Sequence, residues 1–197
     1  MTGRPYHHGD LRGALLAKAE ETLRSSGAEA LSLRELARAV GVSHAAPRRH
    51  FEDKADLLET LVADGFGRLG ESLALAARAD GRDVADRLRA VAVSFVGFAV
   101  DNPALVDLMQ TNRYLAEATD ELVAAREACF GCVNDLVADG QATGQLIAGD
   151  VRQTAMMLLA TMQGIAVLAN NKMLDALDGQ AATDAVDLLL TGLTPRA

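Results

Sequence analysis

Tryptophan is absent from this chain of 197 residues, and Phe and Tyr are scarce. There are four prolines, two cysteines and four histidines. Valine and isoleucine never fall into the alternating runs that strands need. Half of the residues are apolar, and Ala and Leu, both good helix formers, dominate. These shortages point to an all-α fold with a sizeable core. All four histidines (His7, His8, His44, His50) lie in the first fifty residues, so none is placed to act as a base in the rest of the chain. No nucleophile elbow, P-loop or paired set of metal ligands is present, so neither an enzyme, a cofactor nor a metal is expected. The start, MTGRPYHHGDLR, has no apolar run before its first acidic residue, unlike a secretory signal. The longest stretch without charge, 153–171, contains Gln153, Thr154, Thr161, Gln163, Asn170 and Asn171. That is too polar for a comfortable membrane span. A cytoplasmic protein with no membrane partner is the expectation.

An excess of positive charge is missing too. The net charge is −8, which alone argues against a nucleic-acid partner. Its distribution says more. Residues 1–60 hold nine Lys/Arg and nine Asp/Glu; the remainder holds ten and eighteen. A neutral, histidine-bearing head precedes an acidic body, and the asymmetry suggests two jobs.

About nine helices are legible. The first runs from about Asp10, a plausible N-cap, to Ser25, with Leu11, Leu15, Ala19 and Leu23 on one stripe. In SLRELARAVGVS, Ser32 and Glu35 have the spacing of a capping box, and Gly41 breaks the helix. Ser43 is placed to cap a short third helix with Pro47 at the end of its first turn. Two short helices around a Gly-containing turn form a helix-turn-helix signature. Asp53 caps a long fourth helix to about Ala77. A fifth follows from Asp83, a short sixth from Asn102-Pro103, a seventh from about Thr119, an eighth from Asp150 and a ninth from about Ala181.

The eighth helix is apolar on nearly every side, with Met156, Met157, Leu158, Leu159, Met162, Ile165 and Leu168. The ninth has the same surplus in Val186, Leu188, Leu189, Leu190 and Leu193. Either the two bury each other within one chain, or a second copy covers them. The second is the economical answer: a homodimer with a four-helix interface drawn from Met156, Leu159, Ile165, Leu168, Val186, Leu189 and Leu190.

YHHGDLR, followed by ALSLRELARAVGVSHAAPRRHFEDKADLL, resembles the DNA-binding domain of the TetR family of bacterial transcriptional regulators. The likeness covers about residues 6–62, and HHGDLR is similar to one branch of that family. It implies a helix-turn-helix DNA-binding domain over 1–55 and a ligand-binding and dimerisation domain over 56–197. It implies a homodimer, most often a repressor, that binds a pseudo-palindromic double-stranded operator and is released by a small molecule. One departure stands out. Where the family commonly has an aromatic, usually a tyrosine that touches a phosphate, this chain has Arg48. Arg can serve a phosphate by charge or reach a base edge. An all-α small-molecule-binding protein, or a thiol-based sensor, without operator binding is the alternative.

On this reading Ser43, His44 and Ala45 lie against the major groove, with His44 donating to guanine or phosphate. Arg34, Arg48 and Arg49 hold phosphates or bases. Lys54 sits at a helix N-terminus that already favours an anion. The leading arm offers Arg4 and Arg12. Arg49 and Lys54 also read as solvated surface charges, His50 as packing beside Phe51, and Arg38 as a partner of Glu35.

Two motifs in the body are decoys. GFGRLG, Gly65 to Gly70, matches a dinucleotide loop, but a leucine stripe of helical period precedes it where a strand is required. Its glycines read as softening the fourth helix. Cys129-Phe130-Gly131-Cys132 reads as buried thiols on an inward stripe, with a redox sensor as the other option. An effector site, mostly apolar, is expected among Phe95, Phe98, Met109, Tyr114, Phe130, Asn134, Met157 and Gln163, and its methionines favour a hydrophobic ligand.

Overall fold

The computed structural model describes residues 11–78, 83–111, 119–171 and 179–194. Among them are eight α-helices, two 3-10 turns and no strand. The helices are α1 (Leu11–Ser26), α2 (Leu33–Val40), α3 (Lys54–Ala77), α4 (Val84–Asp101), α5 (Pro103–Gln110), α6 (Asp120–Ala142), α7 (Val151–Asn170) and α8 (Gly179–Leu193). The 3-10 turns are Ala28–Ala30 and Pro47–Arg49. The all-α expectation holds. The expected N-cap Asp10 lies outside the described residues.

Local chemistry sets three of the helix starts. Asp53, Asp83 and Asp150 each accept the backbone N–H three residues on, from Asp56 (3.0 Å), Asp86 (2.8 Å) and Gln153 (2.8 Å). Ser32 has the extended backbone of an N-cap, but its side chain makes no capping bond. The expected capping box does not form, because the Glu35 carboxylate turns to Arg38 at 2.6 Å. Gly41 ends α2 at φ 76°, a left-handed conformation that glycine adopts without a Cβ clash.

The chain forms two compact units. The first comprises Met1–Gly65 with Ala104–Leu122. Residue 55, the expected domain boundary, lies within α3, and α5 falls in this first compact unit. The core of this unit includes Leu15, Ala19, Leu23, Leu36, Phe51, Leu57 and Leu58. Gly65 lets α3 approach α5: a Cβ there would stand 2.9 Å from Met109 Sδ and 3.3 Å from Leu105. Glu59 on α3 accepts from the Thr119 N–H at 2.9 Å and from its hydroxyl, so it caps the start of α6.

The second unit comprises Phe66–Pro103 with Val123–Ala197. In it α4 packs against both α7 and α8. Leu88, Val91, Phe95, Val133, Leu136, Leu158, Met162 and Val186 are buried there. Arg89 on α4 donates to Asp187 on α8 at 2.5 Å and to Asp86 at 2.7 Å. α7 is long and apolar enough to cross a membrane by length and composition alone, at a mean hydropathy of 1.2.

Candidate nucleic-acid interface

The segment after Gly41 differs from its sequence expectation. An α-helix would need an N–H at Pro47 to reach the Ser43 carbonyl, and proline has none. The Ser43 carbonyl instead takes the Ala46 N–H at 3.0 Å, one residue earlier. Arg49 then donates to Ala46 O at 3.2 Å, and His50 and Phe51 both donate to Pro47 O at 2.9 Å. The result is a chain of tight turns, with Pro47 first in the 3-10 turn rather than at the end of an α-helical turn. Pro47 and Phe51 are buried, which anchors the segment from beneath. Ser43, His44, Ala45, Arg48 and Arg49 are exposed above them, as is Arg34 in the first turn of α2. His50, expected to pack, is exposed as well.

The head's charges separate by partner. Lys18 pairs with Glu21 at 2.8 Å, Arg24 with Glu20 at 3.8 Å and Arg38 with Glu35 at 2.6 Å. Among the described residues no carboxylate neutralises Arg12, Arg34, Arg48 or Arg49. Lys54 is part of the scaffold, since its ammonium donates to Glu29 O at 3.0 Å and ties the start of α3 to the Ala28–Ala30 turn. Sequence reasoning missed that tie, because its acceptor is a backbone carbonyl 25 residues away. Arg4 lies outside the described residues.

The expected effector residues stand in different surroundings. Phe95 is buried and Phe98 half-buried on α4. Phe130 meets Phe66 edge-on, with ring centroids 6.0 Å apart, and Asn134 donates back to Phe130 O at 3.4 Å. Gln163 is half-buried. Met109 belongs to the other compact unit, at Gly65, and Tyr114 lies outside the described residues. Met157 is 55% exposed, on an outer face of α7 that it shares with Met156 at 62%, so it does not line the interior. A crevice of about 330 Å³ opens at the start of α4, lined by Val84, Gln145, Leu146, Leu190 and Thr194, and none of the expected effector residues borders it.

The expected interface residues divide too. Met156 is exposed, while Leu159, Ile165, Leu168 and Leu189 are half-buried. Val186 and Leu190 are buried within their own unit, so they are not offered to a partner. The reason is that α8 turns them onto α4, leaving Leu188 outward at 78% exposure.

A helix-turn-helix head that exposes unneutralised arginines, on an acidic helical body, defines the class of a DNA-binding regulator. Residues 15–61 match the family described as bacterial regulatory proteins, tetR family, and residues 88–193 match the tetracyclin repressor-like C-terminal domain. The chain belongs to the TetR family of DNA-binding transcriptional regulators. A solved structure of a protein with unknown function from Rhodococcus sp. RHA1 is 40% identical, with a TM-score of 0.89 over 98% of this chain and 100% of that one. The transcriptional regulator FadR from Bacillus subtilis, solved in complex with stearoyl-CoA, shares the fold at 18% identity, with a TM-score of 0.74 over 92% and 98% of the two chains. Among curated proteins, nucleoid occlusion factor SlmA of Edwardsiella ictaluri is 32% identical over 103 residues, 52% of each chain. The chain thus spans about half the length of the curated relatives it matches.

Proposed function

We propose that the protein is a cytoplasmic homodimeric repressor that binds a pseudo-palindromic operator and leaves it when a small hydrophobic effector fills the helical body. The observation that carries the reading is the set of exposed cations, Arg34, Arg48 and Arg49, unneutralised beside an exposed His44 in a chain of net charge −8. Exposed, unneutralised cations can hold the backbone phosphates that set the protein's register, while base edges specify the sequence. Ser43, His44 and Ala45 stand where base edges are read, Arg34, Arg48 and Arg49 where phosphates are held, and Lys54 keeps two free donors for a phosphate.

Dimerisation uses the outward side of α7 and α8: Met156, Met157, Ala160, Gly164 and Val167 on one helix and Leu188 on the other. A Cβ at Gly164 would meet nothing within 4 Å, so this line of α7 has room for a second helix. An apolar effector is supported by the buried Phe95 on α4 and by the edge-on pair of Phe66 and Phe130, with Asn134 bonded to the Phe130 carbonyl.

The test is selection from random-sequence duplex DNA by the purified protein. An enriched palindrome with salt-sensitive binding is expected. No salt-sensitive binding to any duplex would sink the reading.

A further inference from the structure

Arg12 stands in the first turn of α1 with its side chain exposed. Its guanidinium carbon lies 5.6 Å from the centroid of the Phe51 ring. Phe51 is 1% exposed, and its N–H donates to Pro47 O at 2.9 Å, so this ring closes the turn that carries Arg48 and Arg49. α1 itself packs on that turn. The cation therefore stands over the ring of the turn and has no described carboxylate partner.

That mode of attachment matters. A guanidinium over an aromatic ring is attracted by the ring's quadrupole and spends none of its N–H donors on a charged partner. A carboxylate partner would consume those donors and cancel the charge, as happens at Lys18, Arg24 and Arg38. No described carboxylate does so at Arg12. The planar fork matches two phosphate oxygens at once, and the ring restricts the side chain before the anion arrives.

We infer that Arg12 is a further DNA-backbone contact, a phosphate clamp at the flank of the 47–51 turn with Phe51 as its platform. The inference rests on the DNA-binding reading above. It is tested with the full chain on a random-sequence duplex, titrated across salt, comparing wild type with Arg12→Met and Arg12→Lys. Methionine keeps an apolar stem over the ring and removes the charge. Loss of one phosphate contact per head should shrink the slope of log K against log salt by about 0.9 per head, and weaken binding by about eightfold per head at about 0.1 M salt. Arg12→Lys should keep the wild-type slope. A wild-type slope in Arg12→Met overturns the inference and leaves the DNA-binding reading standing. Equal weakening in both variants with the slope unchanged assigns Arg12 to packing and overturns it too. Wild-type protein that binds no duplex sinks the DNA-binding reading itself.

Discussion

Lys54 shows how one side chain can carry a motif's signature and a structural role together. It lies at a helix N-terminus, where an anion is favoured, and it also holds Glu29 O at 3.0 Å. An ammonium has three donors, so the tie leaves two for DNA. Lys54→Ala is expected to weaken binding similarly on all sequences and to reduce the salt slope by about 1, read by titration on unrelated duplexes. A shift in base preference would show that Lys54 reads sequence. The cysteine pair resolves differently. Burial, and then the neighbouring Cys132, push the Cys129 thiol up to about 12 from an ordinary 9.0. Cys132 is also raised, first by burial, and its thiol donates to Cys129 O at 3.8 Å. A thiol kept protonated is a poor nucleophile, which favours the reading of buried apolar residues over a redox sensor. The sign of the pH effect follows. The folded state holds the thiol neutral, so this stabilisation is intact below about 9 and is lost as pH rises from there toward 12. Denaturant midpoints of Cys129→Ala should therefore decline less steeply above pH 9 than those of the parent.

At the scale of elements, the three glycines of GFGRLG have different reasons to exist. Gly65 admits Met109 and Leu105 of α5. Gly70 sits against α6, where an added Cβ would lie 3.0 Å from Cys129 Cα, and backbone cannot yield as a side-chain tip can. At Gly67 a Cβ would meet nothing within 4 Å. Gly70→Ala should therefore destabilise by about 1–3 kcal/mol through overpacking. Gly67→Ala should stabilise by up to about 1 kcal/mol through helix propensity. Urea midpoints of the pair check both signs. Softening of α3 is thus a reading for Gly67 alone, and it requires that Gly67→Ala also alter effector-driven release from DNA. The helix starts are legible in sequence because a carboxylate and the N–H three residues later need nothing else, as at Asp53, Asp83 and Asp150. Ser32 departs from that rule: its side chain makes no capping bond, and the Glu35 carboxylate, the other half of a capping box, pairs with Arg38. The turn at Pro47 departs from its helical expectation because the missing N–H shifts the bonding from four residues to three.

For the whole molecule, the proposed homodimer requires a surface that a second copy covers. α7 is apolar on nearly all sides, so its sequence has no phase that marks the outside. Packing on α4 and α8 buries Leu158, Met162 and Ala166 and leaves Met156, Met157, Gly164 and Val167 out. Leu188→Asp and Gly164→Arg should each convert a dimer to a monomer in sedimentation experiments, by placing charge or bulk where helices meet. The same variants should lose operator affinity, because two linked heads share one palindrome and separate heads do not. An unchanged dimer would place the interface elsewhere. Arg89 and Asp187 are expected to matter less, since both are at least a third exposed and such pairs contribute under about 1 kcal/mol.

Composition and period alone determined an all-α chain, the order of its helices, and a cationic turn on an otherwise acidic protein. These depend on neighbours within four residues along the chain. Tertiary structure decided which side of α7 faces out, that α5 falls in the first compact unit, that Lys54 reaches Glu29, and that Arg12 lies on Phe51. Each depends on residues far apart in sequence meeting in space, such as the 25 positions from Glu29 to Lys54, and no local pattern encodes that meeting.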